Sequence, residues 1–186
     1  MSEEGSKKDL IADTFLKFFL RHGMVQTIIN DVANELHMSK KTLYKYFPGG
    51  KEECLYYIYR NVAAESAKKL EEKLSTISDP RNQLISTITH VYNLATPAVI
   101  ANAATKEKDY MIENQIVGDA FRDVFQDPLR RIIQEGMDRG AFQVEDIDIT
   151  LRFLYGIITE SMILIHQDPE KNLLKETIQG ILKILK

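Results

Sequence analysis

The spacing of apolar residues along this chain is the feature that most restricts its fold. Apolar residues recur at intervals of three and four nearly throughout the 186 residues, and no alternating run reaches strand length beside a hairpin turn. This period is that of a helix with one buried face. The sequence therefore predicts an all-α protein of about nine helices.

Composition is that of an ordinary folded protein. Hydrophobic residues make up 44% of the sequence. It contains 24 Lys and Arg residues and 27 Asp and Glu residues, so its net charge is -3. A chain of this length can bury a sizeable core, as one domain or as a small domain joined to a larger one. The single cysteine, Cys54, excludes an internal disulfide and suits a reducing compartment. Because the acidic N-terminus also lacks the features of a secretion signal, a cytoplasmic protein is expected.

The most apolar run extends from Ile149 to Ile165. It is shorter than a typical membrane span and contains Arg152 and Glu160. We therefore expect a buried helix there and no membrane partner.

Helix boundaries near the N-terminus follow from apolar stripes and capping residues. A first helix is predicted from about Lys7 to Arg21, with Gly23 ending it. A second helix should begin after Thr27, whose hydroxyl can cap it, and a third after Ser39. His37 and Met38 form a tight turn between the second and third helices. This arrangement is that of a helix-turn-helix, which places its last helix in the DNA major groove.

The segment "HMSKKTLYKYFPGGK", residues 37 to 51, holds four lysines and two tyrosines without an acid, in a chain of net charge -3. Leu43 and Phe47 are four residues apart, so they share the face of the third helix that is turned to the core. The opposite face then carries two cations, a hydroxyl and a phenol, from Lys41, Lys45, Thr42 and Tyr44. Such a face can neutralise phosphates and reach base edges. A solvated lysine face is the simpler alternative for the lysines taken alone.

The first part of the chain resembles the tetracycline-repressor (TetR) family of bacterial and archaeal regulators. The resemblance runs through Phe19, Gly23, Thr27, Asp31, Val32 and Ala33, then "MSKKTLYKYF", and finally Lys51-Glu52. It implies a DNA-binding domain at residues 1–50 and an effector-binding and dimerisation domain at residues 51–186. His37 stands where the family usually has glycine, which predicts left-handed backbone at that residue. Lys41 stands where a small residue is common.

The resemblance and the exposed face together name the residues expected to contact DNA. These are Thr27, Ser39, Lys40, Lys41, Thr42, Tyr44, Lys45, Tyr46 and Lys51. In this interpretation Lys41 and Thr42 influence base preference, whereas Tyr44 and Lys51 strengthen binding to any sequence.

Prolines indicate the helix starts in the remainder of the chain. A long fourth helix is predicted from Lys51 to about Leu74, and Asp79-Pro80 and Thr96-Pro97 should each start another. Asp127-Pro128 either starts a helix that ends at Gly140 or kinks a longer helix that began before it.

The last two helices, predicted at about Asp146–His166 and Pro169–Lys186, carry more apolar side chains than one small core requires. This surplus predicts a partner surface. The resemblance implies that the partner is a second copy, in an isologous four-helix interface about a two-fold axis. The expected interface residues are Phe153, Ile157, Ile158, Ile165, Leu174, Ile178, Ile181, Leu182 and Leu185. A thicker monomeric core is the alternative.

The resemblance also implies a small-molecule effector bound among the middle helices, without a cofactor. Candidates for the pocket are Tyr92, Asn93, Tyr110, Met111, Phe121, Phe125, Tyr155 and Glu160, which offer apolar walls with a few polar anchors. The same side chains can also be ordinary core. His90 and His166 have no sequence-adjacent ligand partners, so no metal is expected.

These observations favour a ligand-responsive, sequence-specific transcriptional regulator. The family implies a repressor that binds a palindromic operator as a homodimer and is released by a small molecule. A helical interaction module, whose basic turn binds an acidic protein without preference for a DNA sequence, is the alternative. An enzyme is not expected, because no paired carboxylates, activated nucleophile, Gly-rich phosphate loop or metal spacing stands out.

Overall fold

A computed structural model describes residues 3–101 and 104–186, and the side chains from Gly5 onward within these ranges. The described residues form eight α-helices and no strand. The helices are α1 (Glu3–His22), α2 (Ile29–Glu35), α3 (Lys40–Tyr46), α4 (Gly50–Leu74), α5 (Pro80–Ala101), α6 (Glu107–Asp138), α7 (Ile147–Gln167) and α8 (Leu174–Ile184). The prediction of an all-α fold is confirmed, with eight helices in place of about nine.

Two prolines lie inside helices, and Pro97 accounts for the difference in helix count. The helix start predicted at Thr96-Pro97 was wrong, because Pro97 lies inside α5. The Thr96 hydroxyl donates to the Tyr92 carbonyl oxygen at 2.7 Å, so it bonds back onto α5 and does not cap a new helix. Pro128 lies inside α6, which decides the open question there in favour of one long helix.

The helices form two compact units. Unit 1 comprises Met1–Val62 and Thr105–Ala120, and unit 2 comprises Ala63–Ala104 and Phe121–Lys186. Helices α4 and α6 therefore each contribute residues to both units. The functional division at residues 1–50 and 51–186 stays a prediction, because compactness does not test it.

Unit 1 is built on a core that joins the first three helices to the start of α4. Its buried residues include Ile11, Phe15, Phe19, Val32, Ala33, Leu43, Phe47, Cys54 and Leu55. The Phe47 ring meets Phe15 edge-on, with centroids 6.5 Å apart, and Tyr57 at 5.5 Å. Aromatic pairs in this geometry add to the stabilisation from burial. The core fixes α3 through its apolar face.

The ends of the first helices are set by one glycine and one serine. At Gly23, which ends α1, φ is 76° and the N–H donates to the Phe19 carbonyl oxygen at 2.8 Å, as predicted for a left-handed stop. The Ser39 hydroxyl caps α3, also as predicted. The cap predicted at Thr27 was wrong, since Ile28 precedes α2 and the Thr27 hydroxyl donates to the Gly23 carbonyl oxygen at 2.8 Å.

Unit 2 is organised by α5, α7 and α8, which pack against one another. Its largest fully buried side chains include Phe125, Leu84, Ile88, Ile132, Ile133, Leu154, Ile165, Ile181 and Leu185. Helices α5 and α7 are long and apolar enough, by length and composition alone, to cross a membrane. Core helices of globular proteins meet the same criterion, and the packing of α5 and α7 within unit 2 agrees with a core role.

Helix α8 begins later than the sequence predicts. The predicted start at Pro169 was wrong, because residues 168–173 turn between α7 and α8. The Leu173 N–H donates to the Tyr92 hydroxyl at 2.8 Å, so a side chain of α5 satisfies the backbone just before α8. Sequence spacing cannot reveal this long-range contact.

Candidate functional site

The exposed face of α3 is the candidate site, and its orientation is fixed by two buried anchors. Leu43 and Phe47 are 2% and 1% exposed. The polar residues are outside: Ser39, Lys40, Lys41, Tyr44 and Lys45 are exposed, and Thr42 and Tyr46 are half-buried. The predicted division of α3 into a core face and a cationic face is confirmed. The result is a rigid helix that presents three ammonium groups to solvent.

The N-terminus of α3 is held by a local pair of hydroxyl groups. The Ser39 hydroxyl oxygen accepts a hydrogen bond from the Thr42 N–H at 3.1 Å and lies 2.8 Å from the Thr42 hydroxyl oxygen. A capping residue of this type stabilises a short helix that has little length of its own. Thr42 therefore supports the helix end as well as lying beside the cationic face.

The turn between α2 and α3 has the backbone predicted for it. His37 has φ of 51° and is the one non-glycine residue with positive φ among the described residues. The Met38 N–H donates to the Ala33 carbonyl oxygen at 2.9 Å. Histidine tolerates this conformation better than most side chains do. The turn keeps α2 and α3 in a helix-turn-helix.

The loop before α2 is held by two charged side chains from distant parts of unit 1. The Lys51 ammonium donates to the carbonyl oxygens of Val25 and Thr27, at 2.7 and 3.0 Å. From α6, a buried Glu113 carboxylate oxygen accepts from the Met24 N–H at 2.8 Å. We call Lys51, Glu113 and the loop at residues 23–28 the loop clamp.

A further contact strengthens the loop clamp. The Gln26 side-chain amide donates to the Asp109 carboxylate at 3.2 Å, so two residues of α6 bind this loop. Burial and the nearby Glu113 charge raise the pKa of Tyr59, and the same causes raise the pKa of Tyr110. Both phenols are therefore neutral at physiological pH.

The loop clamp gives structural roles to two residues that the sequence predicts at DNA. Thr27 is 3% exposed, with its hydroxyl on the Gly23 carbonyl oxygen. Lys51 uses two of its three donors within the loop. Their contact with DNA stays a prediction. Sequence reasoning missed Glu113, since its partner Met24 is 89 residues away and no local pattern connects them.

Gly50 shapes the other side of α3. Its φ is 68°, and a side chain there would lie 3.5 Å from a ring carbon of Tyr44. Tyr44 is 41% exposed, so its side chain is partly packed and partly accessible to solvent. The Tyr44 side chain is therefore held by packing and remains able to contact a molecule that binds to the exposed face of α3.

Unit 2 holds most of the residues predicted to bind an effector, although not all of them. Tyr92, Phe121 and Phe125 are buried and Tyr155 is half-buried, whereas Asn93 and Glu160 are exposed. Tyr110 and Met111 belong to unit 1. The Tyr155 hydroxyl donates to the Arg122 carbonyl oxygen at 3.4 Å, and burial raises its pKa.

A polar pair that sequence reasoning missed lies in unit 2. The Ser66 hydroxyl oxygen lies 2.6 Å from His90 Nε2, and the His90 ring centroid is 6.4 Å from that of Phe125. Burial, with a smaller contribution from the Lys73 charge, lowers the pKa of His90. Because Ser66 and His90 lie on different helices, sequence spacing gives no signal of the pair.

The predicted dimer residues fall into two groups. Phe153 is 57% exposed, and Ile157, Ile158, Leu174, Ile178 and Leu182 are half-buried. Ile165, Ile181 and Leu185 are at most 1% exposed because they fill the chain's own core, and their part in an interface stays a prediction. An open groove of about 530 Å³ lies between α7 and α8, and Arg152, Phe153, Gly156, Ile157 and Glu160 are among its lining residues.

Across the described ranges, no group of three or more His, Cys, Asp or Glu side chains is placed to hold a metal ion. The thiol of Cys54 is fully buried, and burial raises its pKa. A thiol in this environment is a poor nucleophile.

Comparisons with known proteins agree with the geometry of α1–α3. Residues 5–58 match the family model of the tetR family of bacterial regulatory proteins. No curated protein sequence matches the chain significantly.

Solved structures share the fold over nearly the whole chain. RolR in complex with resorcinol is 14% identical, with a TM-score of 0.74 over 98% of this chain and 89% of RolR. FadR from Bacillus subtilis, solved with stearoyl-CoA, is 18% identical, with a TM-score of 0.64 over 94% and 95%. PfmR from Thermus thermophilus, a TetR-family transcriptional regulator, is 22% identical, with a TM-score of 0.58 over 94% and 96%. At these identities the likeness shows the fold.

Proposed function

We propose that this chain, whose residues 5–58 match the family model of the tetR family of bacterial regulatory proteins, is a ligand-responsive transcriptional repressor. It binds a palindromic operator as a homodimer in the cytoplasm and is released by a small molecule. The observation that carries the proposal is the exposed cationic face of α3, fixed by the buried Leu43 and Phe47. A cationic face on a rigid helix suits a polyanion with a groove wide enough for that helix.

The proposed complex places the α3 helices of two copies in successive major grooves, about 34 Å apart. Lys41 and Thr42 lie toward base edges, and Lys40, Lys45 and the Tyr44 hydroxyl contact phosphates. Ser39 and Tyr46 flank this face. Lys51 acts mainly by holding the loop before α2, and its remaining donor is available to a phosphate. Occupancy of the operator excludes transcription.

The homodimer is proposed to form through the half-buried and exposed apolar side chains of α7 and α8. Phe153 is the most exposed residue of this face, at 57%. Exposed apolar surface of this kind is typical of a partner surface. A second copy is the partner that a two-fold operator requires, because protein symmetry matches operator symmetry.

The effector is proposed to bind in unit 2. The buried rings of Tyr92, Phe121 and Phe125 supply apolar walls, and the Ser66–His90 pair supplies a polar anchor that sequence reasoning did not include. RolR and FadR were solved with ligands of very different size, so their ligands do not select one for this chain. Release from DNA requires only that the effector bind the non-binding conformation more tightly.

Selection of bound duplexes from a random DNA pool tests the proposal. Wild-type protein should enrich a palindrome with half-sites about one helical turn apart. Lys41→Ala should change the base preference, whereas Lys68→Ala, an exposed lysine of α4, serves as the matched control and should not. A folded protein that enriches no sequence would contradict the repressor and favour binding of an acidic protein by the basic face.

The effector step is tested once an operator is known. Resorcinol and stearoyl-CoA are the first probes, with release of labelled operator as the measurement. For any compound that releases DNA, His90→Ala should raise the concentration needed while leaving operator affinity without the compound unchanged. Equal responses of the two proteins would remove the Ser66–His90 pair from the proposed site.

A further inference from the structure

Gly156 has no explanation within its own chain. It lies in the middle of α7 on the exposed side, and no atom lies within 4 Å of the position that a Cβ would occupy. Gly23, Gly50 and Gly140 have positive φ, and Gly136 has no room for a side chain, whereas a Cβ at Gly180 would make ordinary contact with Ile157 of α7. Glycine inside a helix destabilises it relative to alanine. Neither conformation nor space within the chain requires glycine at position 156, which leaves close approach of a backbone from outside the chain as a reason for it.

The residues around Gly156 form a stripe along α7. At roughly 100° per residue, Ile149, Arg152, Glu160 and Ile163 all lie within about 40° of Gly156. Ile149 is 50% exposed, Arg152 and Glu160 are exposed, and Ile163 is half-buried. The stripe therefore has charged side chains next to Gly156 and apolar side chains at its two ends.

The chemistry of this stripe is symmetric about Gly156. When two copies of a helix cross in antiparallel orientation on a two-fold axis, each residue before the crossing point faces the residue equally far beyond it. Arg152 and Glu160 lie four residues on either side of Gly156, so opposite charges face each other. Ile149 and Ile163 lie seven residues on either side, so apolar side chains face each other.

The two charges are available for such a contact. Among the described residues, the side chains of Arg152 and Glu160 make no hydrogen bond and no salt bridge. The Arg152 charge acts on Asp148, one turn earlier, but the Asp148 carboxylate is bound by Arg130. The charges of the stripe are thus complementary to the same stripe on another copy.

We infer that α7 crosses α7 of a second copy at Gly156 in antiparallel orientation, with two reciprocal Arg152–Glu160 ion pairs about the two-fold axis. The inference rests on the proposed homodimer and specifies its register. Glycine at the crossing point lets the two backbones approach closely. Because Arg152, Gly156 and Glu160 line the groove between α7 and α8, the partner's α7 enters this groove at the crossing.

Charge reversal tests the register. Arg152→Glu and Glu160→Arg each replace two attractive pairs by two repulsive ones, and each should weaken dimerisation about 10- to 100-fold. The double variant R152E/E160R restores both pairs and should return to within about threefold of wild type. Within one chain the two positions are about 12 Å apart along α7, so rescue reports on contact between copies. Sedimentation equilibrium measures the dimer Kd, and circular dichroism checks that each variant is folded.

Cross-linking supplies an independent measurement. A residue on the axis meets itself, so Gly156→Cys should form a disulfide-linked dimer under mild oxidation. Arg81→Cys, at an exposed position of α5, is the control and should not. The native Cys54 is buried and adds no background.

The outcomes separate the register from the proposed function. Cross-linking at Gly156→Cys with rescue by the double variant is the expected result. A dimer that binds operator but shows neither would overturn the register and leave the repressor standing. A monomer at the concentrations that bind DNA would overturn the register together with the proposed homodimer.

Discussion

Helices α3 and α7 both present an exposed face, and the two faces differ in chemistry. The face of α3 carries Lys40, Lys41 and Lys45 with Tyr44 and no acid. The face of α7 carries Ile149 and Phe153, with one cation and one acid placed symmetrically about a glycine. One face is complementary to a polyanion and the other to itself. The contrast shows how the chemistry of an exposed face, more than its extent, identifies the kind of partner.

The two helices also differ in what holds them. Helix α3 has only seven residues, so it depends on two buried side chains, a cap and the loop clamp of unit 1. Helix α7 has 21 residues and packs against α5 and α8. We therefore expect the stability of unit 1 to depend more on individual polar contacts, and the stability of unit 2 to depend more on steric fit in its core.

The largest expected effect concerns steric fit in unit 2. In Gly136→Ala the new Cβ would lie 2.0 Å from a ring carbon of Phe142, which is 3% exposed, so the core must shift. We expect a loss of about 3 kcal/mol in unfolding free energy. Gly156→Ala is the matched control and, at concentrations where the chain is monomeric, should raise the unfolding free energy by roughly 0.5–1 kcal/mol. Urea denaturation measures both, and equal effects would remove the distinction between a core glycine and an interface glycine.

The next effect concerns the loop clamp of unit 1. Lys51→Met removes both bonds to the Val25 and Thr27 carbonyl oxygens and should cost about 2 kcal/mol of unfolding free energy. Glu113→Ala leaves the Met24 N–H without its acceptor and should cost a similar amount, about 1–3 kcal/mol.

Two controls sharpen this prediction. Glu113→Gln keeps an acceptor and should cost less than Glu113→Ala. Lys68→Met, at an exposed position, should change stability by less than about 0.5 kcal/mol. If Lys51→Met weakens DNA binding without affecting unfolding, Lys51 contacts phosphate directly and its role in the loop is minor.

A smaller effect is expected at the cap of α3. Ser39→Ala removes the acceptor for the Thr42 N–H and should cost about 1 kcal/mol of unfolding free energy. Ser39→Asp retains a capping oxygen and should preserve stability while weakening DNA binding, because it adds an acid to the cationic face. Wild-type DNA binding by Ser39→Asp would contradict this prediction and argue that Ser39 acts only through helix stability.

The smallest effect is a pH dependence from His90. Burial lowers its pKa in the folded chain below the ordinary value of 6.5, so the unfolded chain binds the proton more readily. Stability is therefore intact above the ordinary pKa and falls as pH drops below it toward the folded pKa. Unfolding free energy should decrease between about pH 7.5 and about pH 5.5, and less so in His90→Asn. Identical slopes for the two proteins would exclude His90 as the cause.

Where the sequence predicted the structure, the signal was local. The cap at Ser39, the stop at Gly23, the left-handed His37 and the burial of Leu43 and Phe47 all depend on residues within about one turn of each other. The candidate DNA-binding face follows from the same short-range rules. The start at Thr96-Pro97 failed because a long packed helix accommodates an interior proline at the cost of one backbone hydrogen bond.

The sequence by itself determined the helical class, the helix-turn-helix and the sign of charge on its exposed face, because periodicity and capping act through neighbouring residues. Only the tertiary structure decided that Glu113 holds the loop before α2, that His90 pairs with Ser66, and that Ile165, Ile181 and Leu185 face inward. These outcomes depend on which helices pack together, and a buried partner 24 or 89 residues away leaves no periodic signal in the chain. Long-range packing therefore selects, among chemically suitable residues, the ones left free to bind.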